Sequence, residues 1–237
     1  MHPPSADMRP ASAPVPPTRP GWCEIAVGLL TFAVVGYGGG ALIAYSGLDP
    51  VAIGLAIAAL SGIAGLAGFA AADRLRLRSW RAFGIVPVSG RWLLVGAAAG
   101  VAAFLFKGLA VLAFIALTGI ESSPQGIFVL GASGGMVAAI LATLFVGVLT
   151  PVGEEFLFRG VLTNALLRYG PVIGVVGSAA VFALMHGISI VLPAAFVAGL
   201  VAGELFRRSG SVWPGVVVHV VFNLPTIPVL LLASAAA

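Results

Sequence analysis

The sequence predicts an all-α protein, a polytopic transmembrane helical bundle of about seven spans within a range of six to eight. Three observations predict it. Of 237 residues, 60% are hydrophobic and only 8% are charged, whereas a water-facing domain carries about a quarter charged residues. The mean hydropathy is +1.12. The apolar residues also lie in long blocks: no charge occurs from Val51 to Ala72, from Ser122 to Gly153, from Tyr169 to Gly203, or from Ser209 to the end. A membrane-spanning helix needs about 20 mostly apolar residues, so each block supplies at least one. A large soluble core would show amphipathic periodicity instead, and little is present.

Taken in order, residues 1–20 are rich in Pro, Ala and Ser with no apolar run, which predicts a disordered tail. Residues 21–237 then form a single transmembrane domain. The apolar run from Trp22 to about Ser46 is too long for the core of a secretory signal and reads as the first span, 22–46. The others fall at 51–72, 92–118, 135–167, 171–189, 190–206 and 212–235. The second span ends against Arg74, Arg76, Arg78 and Arg81, with Arg91 shortly after. Five arginines in one short loop mark it as cytoplasmic. Threading the chain from there puts Arg9, Arg19, Arg168, Arg207 and Arg208 on the same side and the Glu121 loop outside. The expectation is a multi-pass inner (plasma) membrane protein with a cytoplasmic N-terminus.

Within those spans, Pro151 predicts a kink or division of the long fourth segment. Lys107, well inside the third, is expected to face a protein interior or to snorkel outward. The single cysteine, Cys23, excludes an intrachain disulfide and a cysteine-based metal site. The net charge of +4 is accounted for by topology, so no nucleic-acid partner is expected. Glycines such as Gly38, Gly39 and Gly40 suit close helix packing.

Few ionisable groups sit inside the apolar blocks, and an intramembrane ionisable residue points to function by default. The fourth span carries Pro151-Val152-Gly153-Glu154-Glu155-Phe156-Leu157-Phe158-Arg159. Glu155 and Arg159 are four apart, hence neighbours on one helix face and placed to pair. Glu154 is about 140° round the helix from Arg159 at about 100° per residue. It therefore has no built-in counter-ion and is free to act as a general base. The fifth span carries His186, and the seventh carries His219 and Asn223 one turn apart. Counting from the arginine side at about 1.5 Å per residue, Glu154 lies about 21 Å in, His186 about 22 Å, His219 about 12 Å and Asn223 about 18 Å. Four polar side chains on three helices thus reach a similar layer, where a shared water-accessible cavity would solvate them.

In this order, Glu-Glu-x-x-x-Arg, Phe-x-x-x-His and His-x-x-x-Asn closely resemble the CPBP family, that of type II CAAX prenyl endopeptidases and bacteriocin-processing or immunity proteins, also called Abi proteins. Between motifs, Arg208-Ser209-Gly210-Ser211-Val212-Trp213-Pro214 resembles the family's turn before the last histidine. The resemblance covers about residues 150–225; the first 130 residues match in hydropathy alone. It implies an all-helical membrane protease that cleaves peptide bonds near the cytoplasmic face, acting on a peptide or protein substrate, lipidated or not, among membrane lipids. Glu154 would activate water with help from His186, and His219 and Asn223 would stabilise the oxyanion. Glu155 and Arg159 would hold the helix in place.

Two histidines and a glutamate also make a possible zinc set, Glu154, His186 and His219. The sequence lacks a His-Glu-x-x-His helix, so the metal-free version, with no cofactor, is favoured. Gly131-Ala132-Ser133-Gly134 resembles the Gly-x-Ser-Gly nucleophile motif of rhomboid proteases, but there a His-x-x-x-Asn element precedes the serine, and here it follows. A non-catalytic immunity factor or scaffold of the Abi type is the remaining alternative; a transporter would show paired repeats and broken helices in both halves.

Overall fold

A computed structural model describes residues 19–235, and among them every regular element is helical. Residues 1–18, most of the expected tail, lie outside the described residues. The helices are α1 (Trp22–Ala44), α2 (Pro50–Leu75), α3 (Gly90–Thr118), α4 (Gly126–Ala132), α5 (Met136–Tyr169), α6 (Ile173–Leu184), α7 (Val191–Ser209), α8 (Trp213–Asn223) and α9 (Thr226–Ala235).

Local chemistry sets several boundaries. Asp49 caps α2 by accepting from the amides of Val51 and Ala52 at 3.0 and 3.1 Å, and Pro50 takes the first helical position, where its missing N–H costs nothing. Helix α3 stops at Gly119 and α7 at Gly210, both left-handed, a conformation glycine adopts without penalty.

All seven expected spans are helical, and five stretches are long and apolar enough to cross a membrane: α1, α2, α3, α5 and Trp213–Ser234. Helix α6 is shorter, and α7 carries Glu204, Arg207 and Arg208 in its last turns. Two expectations are refined. Pro151 does not divide α5, which runs from Met136 to Tyr169. The turn before it, Phe145–Leu149, widens to π geometry, which accommodates the ring and the missing hydrogen bond. The last expected span breaks instead, at Leu224 and Pro225, so α8 ends on Asn223. Helix α4 was not anticipated; it packs against α2, the start of α5 and α9.

Helix α5 is central. Every residue from Phe156 to Thr163 is buried, as expected of a helix that is enclosed all round. Phe156 meets Trp213 of α8 edge to face at 5.7 Å, and Phe158 meets Phe182 of α6 at 4.9 Å. The arginine-rich end is clamped as well as charged. Arg76 grips the fully buried Glu24 through two hydrogen bonds of 2.7 and 2.6 Å, tying the end of α2 to the start of α1.

Candidate active site

Glu154 and Glu155 lie in the short α-helical stretch Thr150–Glu155 of α5, between two π turns. The backbone of α2 passes directly against this stretch: a Cβ on Gly153 would run into the Gly62 carbonyl. That approach holds the residue before Glu154 against a fixed wall.

The two carboxylates, adjacent in sequence, have separate surroundings. Glu155 is fully buried. Its Oε2 lies 3.1 Å from Arg159 Nε, the expected one-turn pair, and its Oε1 lies 3.0 Å from His219 Nδ1. Arg159 is 2% exposed and stacks on the Phe182 ring at 4.6 Å. The Arg159–Glu155 contact is one of charge, because no guanidinium nitrogen meets hydrogen-bond geometry. Glu154 turns the other way. Its Oε1 is 3.9 Å from His186 Nε2 and its Oε2 is 3.8 Å from His219 Nε2. Both are too long for direct hydrogen bonds. The carboxylate therefore sits between two imidazoles without being consumed by either.

Hydrogen bonding on the far side of each ring assigns its tautomer. His186 Nδ1 lies 2.9 Å from the Phe182 carbonyl, which can only accept, so Nδ1 carries a proton. His219 Nδ1 faces the Glu155 carboxylate and carries one for the same reason. Both Nε2 atoms are thereby left facing Glu154.

His186 is not inside its helix, contrary to the sequence expectation. Helix α6 ends at Leu184, and His186 occupies the following turn, closed by Gly187 at φ +76. Its ring bond to Phe182 satisfies a carbonyl that the helix end leaves free. Tyr37 of α1 supports this turn by donating its hydroxyl to the Met185 carbonyl. Asn223, the last residue of α8, donates through Nδ2 to the Val146 carbonyl at 3.3 Å.

A cavity of about 500 Å³ contains Glu154, His186, His219 and Asn223 in its walls. Glu155 and Arg159 stand behind it. Three residues that the sequence reading did not place there also line it: Tyr37, Lys107 and Thr150. Ser133 does not; it is exposed, and its hydroxyl donates to the Leu130 carbonyl at 2.7 Å. Among the described residues no three His, Cys, Asp or Glu side chains gather in a way that could hold a metal ion.

A family model described as Type II CAAX prenyl endopeptidase Rce1-like matches residues 136–225. Residues 136–225 are thus similar to that family. No curated protein and no solved structure matches the chain. The matched stretch begins where α5 begins and runs just past the end of α8, so it contains Glu154, Glu155, Arg159, His186, His219 and Asn223. Tyr37 and Lys107 come from outside it. With five stretches apolar enough to cross a membrane and a match to a membrane protease family, the chain is an integral membrane protein.

Proposed function

We propose that the chain is an intramembrane endopeptidase in which Glu154 activates water for attack on a peptide bond. The observation that carries this reading is the Glu154 carboxylate held between His186 Nε2 and His219 Nε2, at 3.9 and 3.8 Å, in the wall of a cavity. One water, about 2.8 Å from each neighbour, bridges a gap of that size. It donates one hydrogen to Glu154 and the other to His186 Nε2, leaving its oxygen lone pair for the scissile carbonyl carbon.

As the C–O bond forms, the water proton passes to Glu154 and the carbonyl electrons move onto oxygen. Asn223 has a second N–H beyond the one given to Val146, and it donates to that oxyanion. His219 donates from Nε2 when its ring carries both protons. Glu154 then passes its proton to the leaving nitrogen as the C–N bond breaks, releasing a carboxylate and an amine. Preorganised donors aimed at developing charge suit this step. The substrate is a peptide presented within the membrane, lipidated or not.

A metal-free reaction fits the donor set better than zinc. Tetrahedral zinc with bonds of about 2.0 Å needs ligand atoms about 3.3 Å apart, and the Glu154 oxygens stand 3.9 and 3.8 Å from the two ring nitrogens.

The test is Glu154→Gln, purified beside the wild type and incubated with a mixed peptide library whose products are sequenced, with and without a zinc chelator. Turnover per folded molecule is expected to fall by about 10²–10⁴-fold, the worth of a general base, while the wild type is indifferent to the chelator. Near-normal turnover in Glu154→Gln would overturn the mechanism. Chelator inhibition reversed by zinc alone would make Glu154, His186 and His219 ligands.

A further inference from the structure

Helix α3 brings into the cavity a side chain for which the water-activating chemistry has no use. Lys107 is partly buried, and its Nζ lies over the rings of Phe104, at 4.1 Å, and Phe222, at 4.8 Å. Phe104 is on its own helix; Phe222 is on α8 and immediately precedes Asn223. The opposite face of α3, with Leu105, Phe106 and Leu109, is exposed and apolar, so the ammonium points away from the lipid. Lys107 is sixteen residues beyond Arg91, or about 24 Å along the helix, in the layer of Glu154 and His186.

The other cation inside the bundle has a carboxylate partner: Arg159 has Glu155. Glu154 stands between His186 and His219, and no ion pair joins it to Lys107. Among the described residues Lys107 takes part in no ion pair. Two ring faces solvate a cation but supply no counter-charge, and an uncompensated charge at this depth is expensive. A cationic group that is retained there, aimed into the cavity that holds the catalytic set, is built to meet an anion that arrives with the substrate.

We propose that Lys107 is a specificity-determining residue that anchors a carboxylate of the peptide substrate, so that cleavage falls close to that carboxylate. The inference rests on the endopeptidase reading above. The carboxylate has two sources with the same chemistry, a free C-terminus and an Asp or Glu side chain. Lys107 touches neither the attacking water nor the oxyanion; it sets which peptide bond reaches them.

The test uses the full-length protein in proteoliposomes and one mixed peptide pool in three matched forms. These are a free C-terminal acid without acidic side chains, a C-terminal amide carrying one Glu, and a C-terminal amide with no acidic residue. Cleavage is measured as kcat/KM, and binding is measured by fluorescence anisotropy on Glu154→Gln protein. Wild type is expected to favour at least one acid-bearing form over the neutral one by about tenfold, the worth of one charge-assisted hydrogen bond; the form favoured identifies the source. Lys107→Met should bring that ratio close to one in both measurements, and Lys107→Arg should keep most of it. Equal handling of the three forms by wild type, or a ratio that Lys107→Met leaves unchanged, would overturn the proposal. Preferential binding of an acid form that depends on Lys107, with no cleavage of any pool, would uphold the anchor and sink the endopeptidase reading.

Discussion

Helices α3 and α5 are both long, apolar and interrupted by a cation, yet the bundle treats the two cations in opposite ways. Arg159 of α5 is 2% exposed, faces the Glu155 carboxylate at 3.1 Å and stacks on Phe182. It lies in a stretch whose every residue is buried. Lys107 of α3 has ring faces around it but no carboxylate, and only Gly96, Gly100 and Ala103 of its helix are buried. One cation is buried behind the cavity wall; the other lines the space the wall encloses. Hydrophobic surroundings alone do not distinguish a structural charge from an available one. The presence or absence of a fixed counter-charge does.

The largest effect should come from taking that counter-charge away in α5. Removing one partner of a buried pair costs about 3–5 kcal/mol, because the survivor is left charged in low dielectric. Arg159→Met strands Glu155, and Glu155→Gln strands Arg159. Both should lower the thermal unfolding temperature in detergent well below that of the wild type, whereas Glu154→Gln should unfold like the wild type. Glu155→Gln should also slow turnover per folded molecule, since His219 leans on the same carboxylate at 3.0 Å, but less than Glu154→Gln does. Wild-type melting of Arg159→Met would mean that the pair contributes nothing to the bundle and that the contrast with α3 is one of appearance.

A smaller effect tests whether Glu155 carries position from Arg159 to His219. Gly215 of α8 has no side chain where one would collide: a Cβ there would stand 2.6 Å from Glu155 Oε2. Gly215→Ala should force the carboxylate aside at an overpacking cost of about 1–3 kcal/mol. Displacing a group that orients a catalytic ring by about 1 Å is worth up to about a hundredfold in rate, so turnover should fall by about ten- to a hundredfold with KM little changed. Lost stability with unchanged turnover would reduce the Glu155–His219 bond to packing.

The sequence reading reached those features that follow from local periodicity. Glu155 and Arg159 pair because residues four apart share a helix face, and the depth counts brought Glu154, His186, His219 and Asn223 to one layer. It missed what depends on distant segments. The bond from Glu155 to His219 joins residues 64 apart in the chain, which no spacing rule encodes. The position of His186 beyond its helix was signalled by Gly187, a helix-ending residue, but the unbroken apolar run concealed it. Lys107, sixteen residues from Arg91, lies in the same layer by the same depth count. Helix α4 is seven residues long and flanked by Pro, Gly and Ser, so its turn signals outweighed its periodicity.

The smallest effect separates the two cations most cleanly. Lys107→Met removes two cation–π contacts, each worth about 0.5–2 kcal/mol, and at the same time removes a charge whose place in a membrane-spanning helix costs about 2.5–3.5 kcal/mol on insertion scales. Methionine fills a similar volume with a flexible apolar chain, so no cavity is left against Phe104 and Phe222. The opposing contributions are of similar size, with the charge somewhat the larger. The variant should therefore unfold at the wild-type temperature or slightly above it, even as it loses its discrimination between acid and amide peptides. Measured beside Arg159→Met in the same detergent, the two substitutions exchange a cation for the same apolar residue in the same bundle and should move stability in different directions. A fall in unfolding temperature for Lys107→Met as large as that for Arg159→Met would show that Lys107 is also a structural cation, held by a partner the rings do not reveal, and the division between α3 and α5 would dissolve.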